Sequence, residues 1–269
     1  MMLLAAIAAW NFFAFGAVLF IAQLGAHEVG YVMGRRLAKR RSFRSEGVGV
    51  LVGGILGLLA FVLALTLSFA NERFNDRRGG TLAEANAIGT AWLRAKAIGG
   101  ERGDQIATLL ERYTKERIAF IEAGPGSTIL MEINNRTNAL QSEIWSHVSV
   151  IVREQPNPVT TSLMASINDV FDMTTSERFA FELRLPPQIF WLLLGLTLLG
   201  MSEIGFQLGL RGPPLRILSA MLALTWSIAI IVILDLASAR IGYLRTSISA
   251  YQWTLDGFHG QDLSLPMPK

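Results

Sequence analysis

Leu67-Ser68-Phe69-Ala70-Asn71-Glu72-Arg73-Phe74-Asn75-Asp76-Arg77-Arg78 is the stretch where a glycine-rich apolar segment gives way to polar, helix-patterned sequence. Ahead of it, Val48 to Ala70 carries no charged residue, and a helix needs about 20 apolar residues to cross a hydrocarbon core of ~30 Å. Directly after it come two acids and three arginines within seven residues, Glu72 to Arg78. Charges placed against the end of a membrane helix are costly unless paired, and they commonly mark function. Asn71, Glu72, Arg73, Phe74, Asp76 and Arg78 are therefore candidate pore-mouth or structural residues. In a continued helix Glu72 and Asp76, and likewise Arg73 and Arg77, fall four apart, which sets an acidic stripe beside a basic one. The net charge of the collar is only slightly positive, so anion selectivity does not follow from it.

The rest of the composition agrees with a membrane location. Of 269 residues, 51% are hydrophobic and 17% charged, too apolar for an ordinary soluble domain. Four apolar segments, Met2 to Ala26, Val48 to Ala70, Ile189 to Leu210 and Leu215 to Leu236, are each near spanning length. Two-residue alternation is absent, which argues against a β-barrel. The first segment lacks a basic residue ahead of it and is too long for a signal peptide's apolar core, so it is expected to be a retained span. The fold expected is an all-α integral membrane protein with four transmembrane helices and a helical soluble insertion between helices two and three. Its domains are residues 1–70, holding spans one and two, the insertion 71–188, spans three and four at 189–237, and a short tail, 238–269.

Within the insertion, Thr81 and Glu84 have the spacing of a capping box, which predicts a helix from Thr81 to about Ile98. Further helices are expected over 104–123, 127–154 and 158–182, separated by Gly124-Pro125-Gly126 and Gln155-Pro156-Asn157-Pro158. The basic cluster Arg35, Arg36, Lys39, Arg40, Arg41 and Arg44 follows the first span. It favours a cytoplasmic first loop by a modest margin, which sets both termini and the insertion outside the cytoplasm. Such a cluster orients a membrane protein and meets anionic lipid headgroups; nucleic acid is not expected as a partner.

Span two carries Gly47, Gly49, Gly53, Gly54 and Gly57. Such residues let helices approach closely, and the alternative is a helix that lines a pore. In that case Leu58, Phe61, Leu65 and Ser68 share one face and form apolar rings that gate by dewetting. Glu203 lies well inside span three and is a candidate intramembrane acid, unless the helix ends before it. His27 and Glu28 are expected at the interface after span one, and Asp235 caps span four. The chain has no cysteine, and its three histidines lack ligand spacing. No metal site, cofactor or catalytic arrangement is expected, and the protein is not read as an enzyme.

Several of these stretches together resemble a family of bacterial membrane proteins with a bestrophin-like domain. They are the Leu67 to Arg78 string, Glu84-Ala85-Asn86-Ala87-Ile88-Gly89-Thr90-Ala91-Trp92-Leu93-Arg94, Arg184-Leu185-Pro186-Pro187, and Leu234-Asp235-Leu236 through Arg240-Ile241-Gly242. Ala237-Ser238-Ala239 departs from the acidic residue and Arg-Pro step usual there. More distantly the chain is similar to bestrophins, pentameric anion channels with four membrane helices per subunit. Their Asp-Arg-Trp-x-Glu-x-Arg motif falls on Glu72, Arg73, Phe74, Asp76 and Arg78. The resemblance implies a homo-oligomer, most simply a pentamer, that passes small inorganic ions through a pore lined by helix two, in a bacterial plasma membrane. Bestrophins hold the insertion in the cytosol, opposite to the charge pattern here. The reading from another class is a non-conducting sensor or scaffold with a ligand- or partner-binding helical domain. A third is a proton-coupled transporter built on Glu203.

Overall fold

The structure is a computed structural model that describes residues 12–39, 47–183 and 186–260. Regular structure among them is entirely helical: α1 (Phe12–Ala38), α2 (Val48–Ile98), α3 (Gly100–Glu122), α4 (Ser127–Glu154), α5 (Pro158–Glu182), α6 (Pro187–Arg211), α7 (Arg216–Ala237) and α8 (Ser249–Phe258). Four stretches are long and apolar enough to cross a membrane: Phe13–Ala38, Val48–Ile98, Pro158–Arg211 and Arg216–Ala237. The chain divides into two compact units, Met1–Glu72 with Arg184–Ser238, and Arg73–Leu183 with Ala239–Lys269.

In the first unit, α1 packs mainly on α6 and less on α7. Gly30 and Gly34 on α1 face Gly205 and Gly209 on α6, each pair four residues apart. A Cβ on Gly30 or Gly34 would overlap the carbonyl of Ser202 or Phe206, and one on Gly205 or Gly209 the carbonyl of His27 or Tyr31. The two backbones therefore touch, the arrangement that small residues permit where lipid offers no hydrophobic drive. In span two, a Cβ on Gly49 would lie 3.0 Å from Gln207 Nε2 on α6. A Cβ on Gly53, Gly54 or Gly57 would meet nothing within 4 Å.

Polar side chains join α1 to α7. The Gln23 Nε2 donates to Ser227 Oγ at 3.2 Å, and His27 Nε2 shares a 2.9 Å hydrogen bond with Ser219 Oγ. Arg216 donates through Nε and Nη2 to the Glu28 carboxylate at 2.7 and 3.2 Å. The expected end of the first span near Ala26 is corrected: the helix continues to Ala38, and His27 is buried within it. A partner on the neighbouring helix lowers the cost of burying His27, Glu28 and the Gln23 Nε2. Residues 1–11 of the expected first span, and Arg40, Arg41 and Arg44 of the basic cluster, lie outside the described residues.

The second unit is a helical bundle around Ile88, Ala91, Ile106, Leu110, Ile144, Leu163 and Ile167, all buried. Asn157 starts α5 as the sequence allows, its carboxamide oxygen accepting from the amides of Val159 and Thr160 with Pro158 in the first turn. The short α8, not anticipated from the sequence, sits on this core. Phe258 stacks on Trp92 at 4.7 Å, and Thr254 Oγ1 donates to the Ala85 carbonyl. Arg240 donates to the Phe120 and Ala123 carbonyls at 2.7 and 3.0 Å, which caps the carboxyl end of α3 with a cation. The Phe120 ring lies 4.4 Å from the guanidinium carbons of both Arg117 and Arg240.

Candidate functional site

Helix α2 does not stop at the collar. It runs unbroken from Val48 to Ile98, so Thr81 is not the N-cap that its spacing with Glu84 predicts. The Thr81 hydroxyl lies 2.9 Å from the Arg77 carbonyl one turn back, and Gly79 and Gly80 are helical. A narrow seam explains the continuity. Val52, Leu59, Thr66 and Ala70 are buried, and the same side of the helix goes on through Arg77, Thr81, Glu84 and Ile88. Burial along one face outweighs the ~0.5–1 kcal/mol that each mid-helix glycine costs.

The opposite face of the apolar part is uncovered by the described residues. Leu58, Phe61 and Leu65 are 51%, 64% and 43% exposed, and Ser68 is exposed beside them. The helical spacing therefore brings the four candidate pore residues onto one open stripe. In the collar, Asn71, Glu72, Arg73, Asp76 and Arg78 are exposed, Phe74 is half-buried, and Arg77 is buried. The Arg77 and Arg78 guanidinium carbons lie 6.0 and 5.8 Å from the centre of the Phe74 ring. No ion pair joins Glu72, Arg73, Asp76 or Arg78 to another described residue. Among the described residues the collar's exposed charges are accessible to solvent, with Asp76 and Arg73 acting on the buried Arg77 with opposite signs.

Glu203 lies two turns before the end of α6 and is half-buried. Its Oε2 is buried without a hydrogen-bond partner among the described residues. Of the Arg184 to Pro187 string, Arg184 and Leu185 lie outside the described residues, and Pro187 opens α6. A groove of ≈ 370 Å³ on the second unit is lined by Leu130, Met131, Asn134, Asn138, Arg178 and Glu182 among others. Its polar lining differs from the buried apolar pocket that a ligand-binding domain would be expected to carry.

The more unusual chemistry lies inside the second unit. Glu84 is fully buried, and Arg117 donates to it through Nε and Nη2 at 2.7 and 3.2 Å. Thr174 Oγ1 lies 2.6 Å from Glu84 Oε1, and the Tyr251 hydroxyl donates to Oε2 at 2.5 Å. Tyr113 meets Thr174 at 2.5 Å and accepts from Gln141 Nε2 at 2.9 Å. Burial, with the Glu84 charge beside it, pushes the Tyr113 phenol up to about 12. The same causes push Tyr251 well above its ordinary value, so both phenols stay protonated donors. Burial works against the Arg117 cation, yet Glu84 and the two phenols raise its pKa above the usual value. Such a fully bonded network fixes one arrangement of five helices.

A second buried carboxyl, Glu177, meets Thr81 Oγ1 at 2.5 Å. Burial pushes its pKa up to about 7, against the hydrogen bond from Thr81; Glu84 raises it further, and Arg117 and Arg77 lower it. Sequence reasoning missed this whole cluster. The available signal was position: Glu84 shares the helix face of Ile88, Ala91 and Ala95, all core residues.

Four candidate spans, an uncovered apolar stripe on one of them and a buried ion-pair network define a helical membrane protein. The family model for the Bestrophin-like domain matches residues 17–245, most of the chain, and the chain belongs to that family. No curated protein and no solved structure matches it. The most specific part of the resemblance, Glu84 to Arg94, has a structural meaning. Glu84 anchors the buried network, Ile88 and Ala91 are core, Trp92 Nε1 donates to Glu111 at 3.2 Å, and Arg94 donates to the Ser162 carbonyl at 2.9 Å.

Proposed function

We propose that the protein is an oligomeric ion channel, a pentamer permeable to anions, in which α2 lines the pore and residues 71–188 form an insertion between the second and third spans. The observation that carries this reading is the open stripe Leu58, Phe61, Leu65 and Ser68. Family membership supports it. Copies of α2 arranged about an axis would present these side chains as successive apolar rings, which hold water out until they widen. Gly53, Gly54 and Gly57, with open space around them, leave room for a neighbouring subunit. Arg73 and Arg78, exposed just past the rings, supply positive potential at one mouth, partly offset by Glu72 and Asp76. The membrane is proposed to be a bacterial plasma membrane, with the insertion on the extracytoplasmic side by the charge of the first loop.

Planar-bilayer recording of the purified protein tests this. A current whose reversal potential follows the chloride gradient is expected. Silence under varied chloride, voltage and pH would sink the channel, and a monomer by native mass measurement in detergent would sink the assembly.

A further inference from the structure

Glu177 stands apart from the bonded network around Glu84. It is 1% exposed, and its Oε2 has no hydrogen-bond partner among the described residues. Its carboxylate lies against the backbone of α2 at Gly80, where an added Cβ would overlap Oε2 and displace it. The next residue, Thr81, places its hydroxyl 2.5 Å from Oε1 and 2.9 Å from the Arg77 carbonyl. A hydroxyl has one proton to donate. With Glu177 ionised, Thr81 can serve the carboxylate or the carbonyl, but not both. With Glu177 neutral, the carboxyl donates to Thr81 and Thr81 donates to the Arg77 carbonyl, and every proton has an acceptor.

We propose that Glu177 is a proton-binding site, and that the bound proton latches α5 onto α2 through Thr81. The charges that face it among the described residues are Arg77 and Glu84 on α2 and Arg117 on α3; the phenol of Tyr251 on α8 is also within electrostatic reach. Arg117 is committed to Glu84 by a bidentate pair, so Glu84 and Arg117 largely cancel at Glu177. Burial then favours the neutral form and outweighs the Arg77 cation, which favours the ionised one. The folded protein holds this proton with a pKa of about 7, against 4.5 for an ordinary glutamate. Stability from the latch is therefore full below the ordinary value and is lost as pH rises through the folded one. The site does not depend on what α2 conducts, and its test needs no current.

Infrared titration of the full-length protein in lipid vesicles reads the carboxyl C=O band directly. A band that disappears as pH rises through neutrality is expected in the wild type and absent in Glu177→Gln. Thr81→Val removes the hydroxyl that receives the Glu177 proton, so the band should disappear at lower pH than in the wild type, with proton affinity lowered several-fold. The unfolding midpoint of the wild type should fall between about pH 5 and 8, and that of Glu177→Gln should stay flat. Should Glu177→Gln fail to fold, the Thr81→Val shift decides. A wild-type titration without this band, or one that neither substitution alters, would overturn the proposal.

Discussion

Glu84 and Arg117 show how much one buried pair decides. Neither side chain is more than 1% exposed, and removing one partner leaves the other charged in a dry interior. Glu84→Gln is expected to destabilise the protein by about 3–5 kcal/mol, read as loss of near-ultraviolet circular dichroism on heating in detergent. Adding Arg117→Met to that variant should recover part of the loss, since the orphaned cation is gone; strictly additive losses would mean that the pair is uncoupled. This residue was visible in the sequence under a different role. Thr81 and Glu84 have the spacing of a helix start, and Gly79-Gly80 ahead of them resembles a break. Only the burial of Arg77, Thr81 and Glu84 along one continuous face overrules that local signal. Propensity speaks for single residues and packing for the whole helix.

At the scale of elements, the legible boundaries were those with a covalent cause. The prolines and glycines at 124–126 and 156–158 end helices because they lack a donor or a side chain, and α4 and α5 begin where the sequence predicts. The end of α1 was not legible, because an apolar run followed by His27-Glu28 looks like an interface until Ser219 and Arg216 are brought to it. Close glycine packing was legible as a device, but α1 and α6 were not singled out for it. The contact that needs it is α1 on α6, where an added methyl meets backbone rather than a yielding side chain. Gly205→Ala and Gly30→Ala should each cost about 1–3 kcal/mol or more by forcing those helices apart. Gly54→Ala, with open space around it, should leave the folded subunit unchanged. Unfolding midpoints of the three variants in one detergent compare them, and equal midpoints would remove the close-packed interface.

For the molecule as a whole, the open question is what covers α2. Its apolar stripe of Leu58, Phe61 and Leu65 is more exposed than a packed helix leaves such residues. Lipid can cover an apolar face as readily as protein does, and the two coverings leave different chemistry open to water-soluble reagents. Ser68 and the exposed charges of Glu72, Arg73, Asp76 and Arg78 extend the same helix toward water, as a pore lining would. The chain contains no cysteine, which allows a clean discrimination. Single substitutions Leu58→Cys, Phe61→Cys, Leu65→Cys and Ser68→Cys are expected to react with a charged, water-soluble thiol reagent and to lose most of their current on modification. Met221→Cys, exposed on α7, is the control and should keep its current. Phe61→Cys before modification should conduct more than the wild type, because the broadest apolar ring has been narrowed to a small side chain. If all four positions resist the water-soluble reagent, yet react with a membrane-permeant one, the stripe faces lipid and α2 does not line a pore.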